Sequence, residues 1–489
     1  MVAPIIVWFR NDLRLNDHPA LYHAAIEQRP IIPLYILDNE APGAWRRGGA
    51  SRWWLHHSLA SLQSNLRQRG TNLLLRRGNT SEIICSVARQ TGADKVHCSR
   101  QFEPWARQLE HHLYERLAED GVTLVRFTGS LLRDPEGVRT KSGQPFQVFT
   151  PFWRALSAQD IRNCRSQPPA LLPPSEWPEG EALENWTLCP EKPDWAGGLR
   201  ETWQPGESGA RQQLDAFLAT KAETYRYDRD RPDLPGTSQL SPHLHFGEIS
   251  PAACWHAALL KAAILPAAAE GLEVFRKEIA WREFSYHLLH NWPDLPSSSF
   301  RQQFAHFPWR PADESRAAHL QAWQQGRTGY PVVDAGMREL WETGWMHNRV
   351  RMITASFLTK HLLIPWQQGE AWFWDCLVDA DLASNAASWQ WVAGSGADAA
   401  PYFRIFNPIT QGQKFDPHGD YVRRWVPEIS ALPDQYIHAP WQCPERILKH
   451  YKIKLDATYP LPIVDHKEAR ERALMAYEHI KAAKLPARK

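Results

Sequence analysis

The 489-residue chain has no apolar run near the roughly 18 residues that a membrane-spanning helix needs, no C-x-x-C pair and no long block of like charge. Its N-terminus, Met1 to Phe9, is apolar but is followed at once by Arg10, Asp12 and Arg14. That is the reverse of the order in a secretory signal, so a cytoplasmic location is expected. Seven scattered cysteines (85, 98, 164, 189, 254, 376 and 443) support neither a disulfide framework nor a zinc ribbon. The pairs His56/His57, His111/His112 and His243/His245 lack cysteine or carboxylate companions at ligand spacing, so no metal site is expected. With 56 basic and 54 acidic residues the formal charge is +2, and a polyanion would have to be held by local cations.

Two cofactor signatures are also missing. No P-loop lysine motif occurs, and the first turn of the N-terminal region reads Phe9-Arg10-Asn11-Asp12-Leu13-Arg14, without glycine. Gly394-Ser-Gly396-Ala-Asp-Ala399 does satisfy G-x-G-x-x-A, but it follows a Trp-rich helical pattern. The dinucleotide mechanism requires a strand before it and a helix after it. A nicotinamide enzyme is thereby disfavoured, and a light-independent oxidoreductase rests on that motif alone.

What is present is a globular composition, 43% hydrophobic and 22% charged, with 24 tryptophans that serve packing, stacking or electronic ends. Over the first 130 residues apolar runs at Ile5–Phe9, Ile31–Leu37, Asn72–Leu75, Lys95–Cys98 and Thr123–Phe127 alternate with helical patterns at 51–69, 80–91 and 103–120. This alternation predicts a parallel sheet with crossover helices. Eleven prolines between Pro135 and Pro205 read as an extended linker, with one short helix near Phe152–Ile161. Beyond 206 the patterns at 251–270, 272–290, 334–362, 367–382 and 467–484 are helical. The expected class is α/β plus all-α: a Rossmann-like domain over 1–130, a linker over 131–205 and a helical domain over 206–489.

Three stretches carry candidate chemistry. Gly236-Thr237-Ser238-Gln239-Leu240-Ser241-Pro242, preceded by Tyr227 and Arg231, offers hydroxyls and backbone N–H groups to phosphate oxygens, or an ordinary helix cap. Gly344-Trp-Met-His347-Asn348-Arg349-Val-Arg351-Met352 places Asn348 and Met352 on one helix face. Asp379-Ala-Asp381 leads to Asn385, Trp389 and Trp391, and Asp381 and Asn385 share a face. Buried Asn, Asp and Arg need partners, so these faces suit a cofactor pocket or a structural ion pair such as Arg351–Asp379.

Together with Trp8-Phe-Arg10-Asn-Asp12-Leu-Arg14, His245-Phe-Gly247, Trp281-Arg-Glu-Phe284, Gly329-Tyr-Pro331 and Phe415-Asp416-Pro417, these stretches resemble the photolyase/cryptochrome flavoproteins. The resemblance spans nearly the whole chain and is strongest to the class I cyclobutane pyrimidine dimer photolyases of bacteria. It implies an N-terminal α/β domain, a linker and a helical domain enclosing FAD. The implied FAD contacts are Tyr227, Thr237, Ser238, Gln239, Leu240, Ser241, Arg282, Asn348, Arg351, Asp379, Asp381 and Asn385, with Asn385 facing flavin N5 and Arg351 paired with Asp379.

For UV-damaged DNA the resemblance implies Glu278, Trp281, Asn348, Arg349, Met352 and Trp391 around the lesion, with Arg231, Arg404 and Lys414 on phosphates. Glu278, Asn348, Met352 and Asn385 would be the catalytic set. Trp389, Trp366 and Trp309 match the electron-hopping triad.

The implied activity is light-driven repair of cyclobutane dimers by a monomer. The alternative is a cryptochrome-like photoreceptor without repair. Photolyases of the (6-4) type carry histidines where Asn348 and Met352 stand, and plant cryptochromes carry Asp at Asn385. The chain ends at Lys489 after a helical pattern, which leaves no expected signalling tail. For a second, antenna chromophore, the folate-type Asn-Glu pair is replaced by Trp105-Ala106 and the deazaflavin-type Asp and Lys by Gln101 and His245. Either another pterin mode exists or the antenna is absent.

Overall fold

The computed structural model describes residues 2–165, 167–399 and 403–482. Five strands, β1 (Ile5–Phe9), β2 (Ile31–Leu37), β3 (Leu74–Arg77), β4 (Lys95–Ser99) and β5 (Thr123–Phe127), form one parallel sheet in the order β3-β2-β1-β4-β5. Every residue of β1 and β2 is buried, which is why these strands read as unbroken apolar runs rather than as alternation. β3 lies two residues later than the apolar run suggested, because its register with β2 pairs Leu34 with Leu74 and Leu37 with Arg77.

Four helices, α1 (Pro19–Ile26), α2 (Gly49–Gln68), α3 (Thr80–Thr91) and α4 (Pro104–Glu119), connect these strands. α3 shows why the boundaries were readable: Asn79 caps it by accepting from Glu82 N–H, and Gly92 ends it at φ 67°. Ile6, Trp8, Leu34, Ile84, Val96, Leu113 and Leu124 belong to one core between sheet and helices. Each such side chain contributes roughly 1.5–3 kcal/mol on burial.

The linker region contains α5 (Phe149–Ser157) and the short helix Gly197–Thr202, and Ile31 N–H donates to Leu172 O at 2.8 Å. The Ala269–Asn291 helix is separated from Pro251–Ile264 by Leu265-Pro266, where the missing proline N–H ends regular helix. The pattern at 334–362 is likewise not one helix. Gly344 stops Pro331–Thr343 at φ 66°, and His347 caps a new helix, Asn348–Ser356, by accepting from Arg349 N–H. A π-helical turn, Phe357–His361, follows.

The chain divides into two compact units, and the division is not linear. The first comprises Met1–Arg226, Ser238–Pro293 and Val378–Ala383; the second comprises Tyr227–Thr237, Asp294–Leu377 and Ser384–Lys489. Among the described residues, no helix is long and apolar enough to cross a membrane.

Candidate flavin and lesion residues

In the first unit, the N-terminal turn and the His245-Phe-Gly247 motif are built for each other. Leu13 N–H donates to Phe246 O at 3.1 Å and the Arg14 guanidinium donates to Gly247 O at 2.8 Å. Gly247, at φ 64°, leaves no room for a side chain: a Cβ there would lie 2.2 Å from Asn11 O. That seating delivers His245 to Asp381, with Nδ1 3.6 Å from Oδ2, while the Arg47 guanidinium stands 3.5 Å from His245 Nε2.

Asp381 is the hub of this unit. Tyr286 O–H donates to it at 2.5 Å, and the Arg282 guanidinium sits 5.0 Å from the Tyr286 ring centre. Burial opposes the Asp381 charge, yet His245 and Arg282 outweigh it and hold the carboxylate below its ordinary range. Arg282 donates to Ser130 O at 2.9 Å and lies 3.3 Å from Glu283, whose carboxyl burial pushes up to about 7.

Glu278, Trp281 and Arg282, at i, i+3 and i+4, occupy one face of the Ala269–Asn291 helix. One face of the Trp281 indole is covered by Phe149, parallel at 3.7 Å. The Ser241–His245 helix begins after Leu240, whose side chain makes no capping hydrogen bond. Asp379 is buried.

The second unit holds the remaining residues. Asn348 is exposed at the start of its helix, one turn from the half-buried Met352. His347, which caps that helix, donates its own N–H to Glu339 at 3.2 Å, and Tyr421 O–H donates to the same carboxyl at 2.7 Å. Burial raises Glu339 to about 7 and lowers His347 to about 4. Arg349 is paired with Asp230 at 2.9 Å and stacks over Phe415 at 4.4 Å, while Arg231 is paired with Asp233 through two contacts. Phosphate would therefore have to compete with carboxylates for both arginines. Arg351 Nε donates to Met346 O at 2.7 Å, and Tyr227 is 67% exposed.

Asn385 and Trp389 share a face of the Leu382–Ala393 helix. Asn385 Nδ2 donates to Glu370 O at 3.1 Å. Trp389 is buried against Phe373, Trp366 is wholly buried and Trp309 is half-buried beside Phe307. Trp391 is half-buried, with Arg404 6.0 Å from its ring centre. The G-x-G-x-x-A motif follows this helix and no strand, as its dismissal requires.

Sequence reasoning missed Tyr286, Glu339, Glu370 and Gln390. Tyr286 lies two residues past the quoted Trp281–Phe284 run, its one available signal.

The donor set suits FAD. In the first unit, buried carboxylates at 379 and 381, with Arg282 acting on Asp381, offer acceptors and a cation, and the segment 238–241 carries backbone N–H groups and hydroxyls of the kind that bind phosphate.

Comparison with known proteins agrees. Residues 5–174 match the DNA photolyase domain and residues 275–479 the FAD binding domain of DNA photolyase. A deoxyribodipyrimidine photo-lyase of Agrobacterium fabrum is 52% identical over 98% of both chains. Arabidopsis thaliana cryptochrome-1 is 39% identical over 96% of this chain and 69% of its own. A crystal structure described as a bacterial class III photolyase from Agrobacterium tumefaciens superimposes with TM-score 0.94 at 51% identity, covering 98% of each chain. The expected class I likeness is corrected by that match: the motifs quoted for class I are not exclusive to it, and the similarity is to class III. The chain therefore belongs to the photolyase/cryptochrome family, as a FAD-binding DNA photolyase.

Proposed function

We propose that the protein repairs cyclobutane pyrimidine dimers in UV-damaged DNA under near-UV or blue light, acting in the cytoplasm as a monomer. When bound, reduced FAD supplies the redox chemistry: a photoexcited electron given to the dimer and returned after two ring bonds open. The chain's residues bind, orient and neutralise. Tyr227, Thr237, Ser238, Gln239, Leu240 and Ser241 hold phosphate and ribityl oxygens. Arg282, Arg351, Asp379, Asp381 and Asn385 fix the ring system and the adenosine arm.

Glu278 hydrogen-bonds the thymine carbonyls, and Trp281 and Trp391 form stacking walls. Arg231, Arg349, Arg404 and Lys414 meet phosphate in a salt-dependent way. Extrusion of the damaged bases from the duplex is a general property of photolyases and not a deduction from this chain. Trp389, Trp366 and Trp309 serve reduction of the cofactor, and no step depends on an antenna.

The observation that carries the finer reading is the first turn of the Asn348–Ser356 helix. Asn348 and Met352 present no group that titrates near neutral pH, whereas (6-4) repair needs proton transfer there. The test is repair yield per absorbed photon on an oligothymidine carrying cyclobutane dimers. Wild type should repair in light only. Glu278→Gln and Glu278→Ala should retain FAD and split the dimer less efficiently, and unchanged yields in both would remove the role of Glu278.

The likeness to a plant cryptochrome favours a second reading, a photoreceptor that repairs nothing. Asn385 in place of Asp argues against it. FAD-loaded, reduced protein that fails to repair in light would establish it over the first.

A further inference from the structure

The glycine motif dismissed as a dinucleotide fingerprint has a geometry of its own. After the Leu382–Ala393 helix the chain folds straight back: Gly394 N–H and Gly396 N–H both donate to Gln390 O at 2.9 Å. Gly394 turns at φ 87° and Asp398 at φ 52°. The turn delivers the Asp398 carbonyl to the Trp391 indole, whose Nε1–H donates to it at 3.1 Å. Gly396 is fixed by contact, since a Cβ there would lie 2.8 Å from Trp391 N and 2.9 Å from the Gln390 carbonyl carbon, both backbone atoms.

Gln390 secures the far side. Wholly buried, its Nε2 donates to Leu295 O at 2.6 Å and Ser298 O at 2.9 Å, and its Oε1 accepts from Phe300 N–H at 2.8 Å. Arg301 N–H then donates to Ser395 O at 2.8 Å, which ties the same loop to the turn. An indole on a helix surface rotates about two side-chain bonds. Here one orientation is selected by a main-chain acceptor that exists only while the turn stays closed.

We infer that Gly394–Ala399, clamped by Gln390, is a positioning device that holds the Trp391 ring in its lesion-stacking orientation. Gly396 and Gln390 are therefore positioning residues, and the inference rests on the reading of Trp391 as a lesion wall.

The test uses full-length, FAD-loaded protein labelled with 5-fluorotryptophan, in which Trp391→Phe identifies the Trp391 fluorine resonance. Gly396→Ala should shift that resonance without DNA present, leave the flavin spectrum unchanged and weaken dark binding of a dimer-bearing oligothymidine about tenfold, within what one base–aromatic stack contributes. In a Trp391→Ala background the same substitution should cost nothing further. Gly394→Ala, strained by its φ and meeting only ring side chains, Phe403 at 3.3 Å and Phe304 at 3.4 Å, is a milder second variant with the same expected coupling should Gly396→Ala not fold.

An unmoved resonance, or an equal loss of affinity in both backgrounds, would overturn the inference. Wild-type affinity in Trp391→Ala alone would instead sink the lesion-wall reading, and the resonance would then decide whether the turn holds the ring.

Discussion

At the carboxyl ends of β1 and β4, Arg10 and Glu110 are buried 2.7 Å apart and Asp12 lies 3.0 Å from His18, whereas in the second unit both oxygens of the buried Glu370 carboxyl lack a hydrogen-bond partner among the described residues. Lys360, also buried, donates to Ala393 O at 2.6 Å and sits over the Phe403 ring. Burial opposes the charges of Arg10, Asp12 and Glu110, yet their partners outweigh it; with burial unopposed, Glu370 is pushed up to about 9 and so holds its proton, and Lys360 is lowered well below its ordinary value. Paired ions fix geometry and are costly to break. A protonated buried carboxyl makes its unit sensitive to pH, and the main-chain carbonyl of Glu370 is the one that accepts from Asn385 Nδ2.

The largest effect should come from breaking a pair. Arg10→Ala leaves the buried Glu110 with Arg126 at 3.4 Å and the Gln101 N–H at 3.0 Å, and should cost about 3 kcal/mol, the low end for a broken buried pair, in urea unfolding followed by circular dichroism. A loss below roughly 1 kcal/mol would put the pair with ordinary surface ion pairs and erase the contrast.

Glu370 should act through pH. Its folded carboxyl keeps a proton up to about 9, while the unfolded chain releases it above 4.5. Between those values the folded state binds more protons, so stability falls as pH rises, by about 3 kcal/mol from pH 5 to pH 7. Glu370→Gln should flatten that slope, whatever constant offset its amide adds. Parallel slopes in unfolding series at pH 5 to 8 would show that Glu370 is ionised in the fold.

Gly369→Ala should cost about 1–3 kcal/mol by overpacking. Its Cβ would come within 2.1 Å of the Trp389 ring, so photoreduction of bound flavin should slow as well. Trp309→Phe should hardly alter stability, yet it should block photoreduction and spare repair by chemically prereduced protein. Normal photoreduction would sink the triad assignment.

Much of this was legible beforehand, for identifiable reasons. β1 and β2 are buried on both faces and so read as continuous apolar runs, and Asn79 and Gly92 bracket α3 with ordinary capping chemistry. The break at Gly344 was missed because apolar spacing continues through Trp345 and Met346 into the next helix. The named site residues came from motif resemblance. Their supports did not, since Gln390 binds main-chain carbonyls and Tyr286 meets Asp381 across 95 positions of sequence. Neither relation leaves a pattern in a single chain, and desolvation of Glu370 leaves none either.

The most direct test sets two lesions side by side. Prereduced protein is mixed with oligonucleotides carrying either cyclobutane or (6-4) products, and recovery of pyrimidine absorbance is followed in blue light and in the dark. Recovery in light on the cyclobutane lesion alone is the result expected from Asn348 and Met352. Recovery on the (6-4) product, or none on either with reduced FAD bound, would contradict the account.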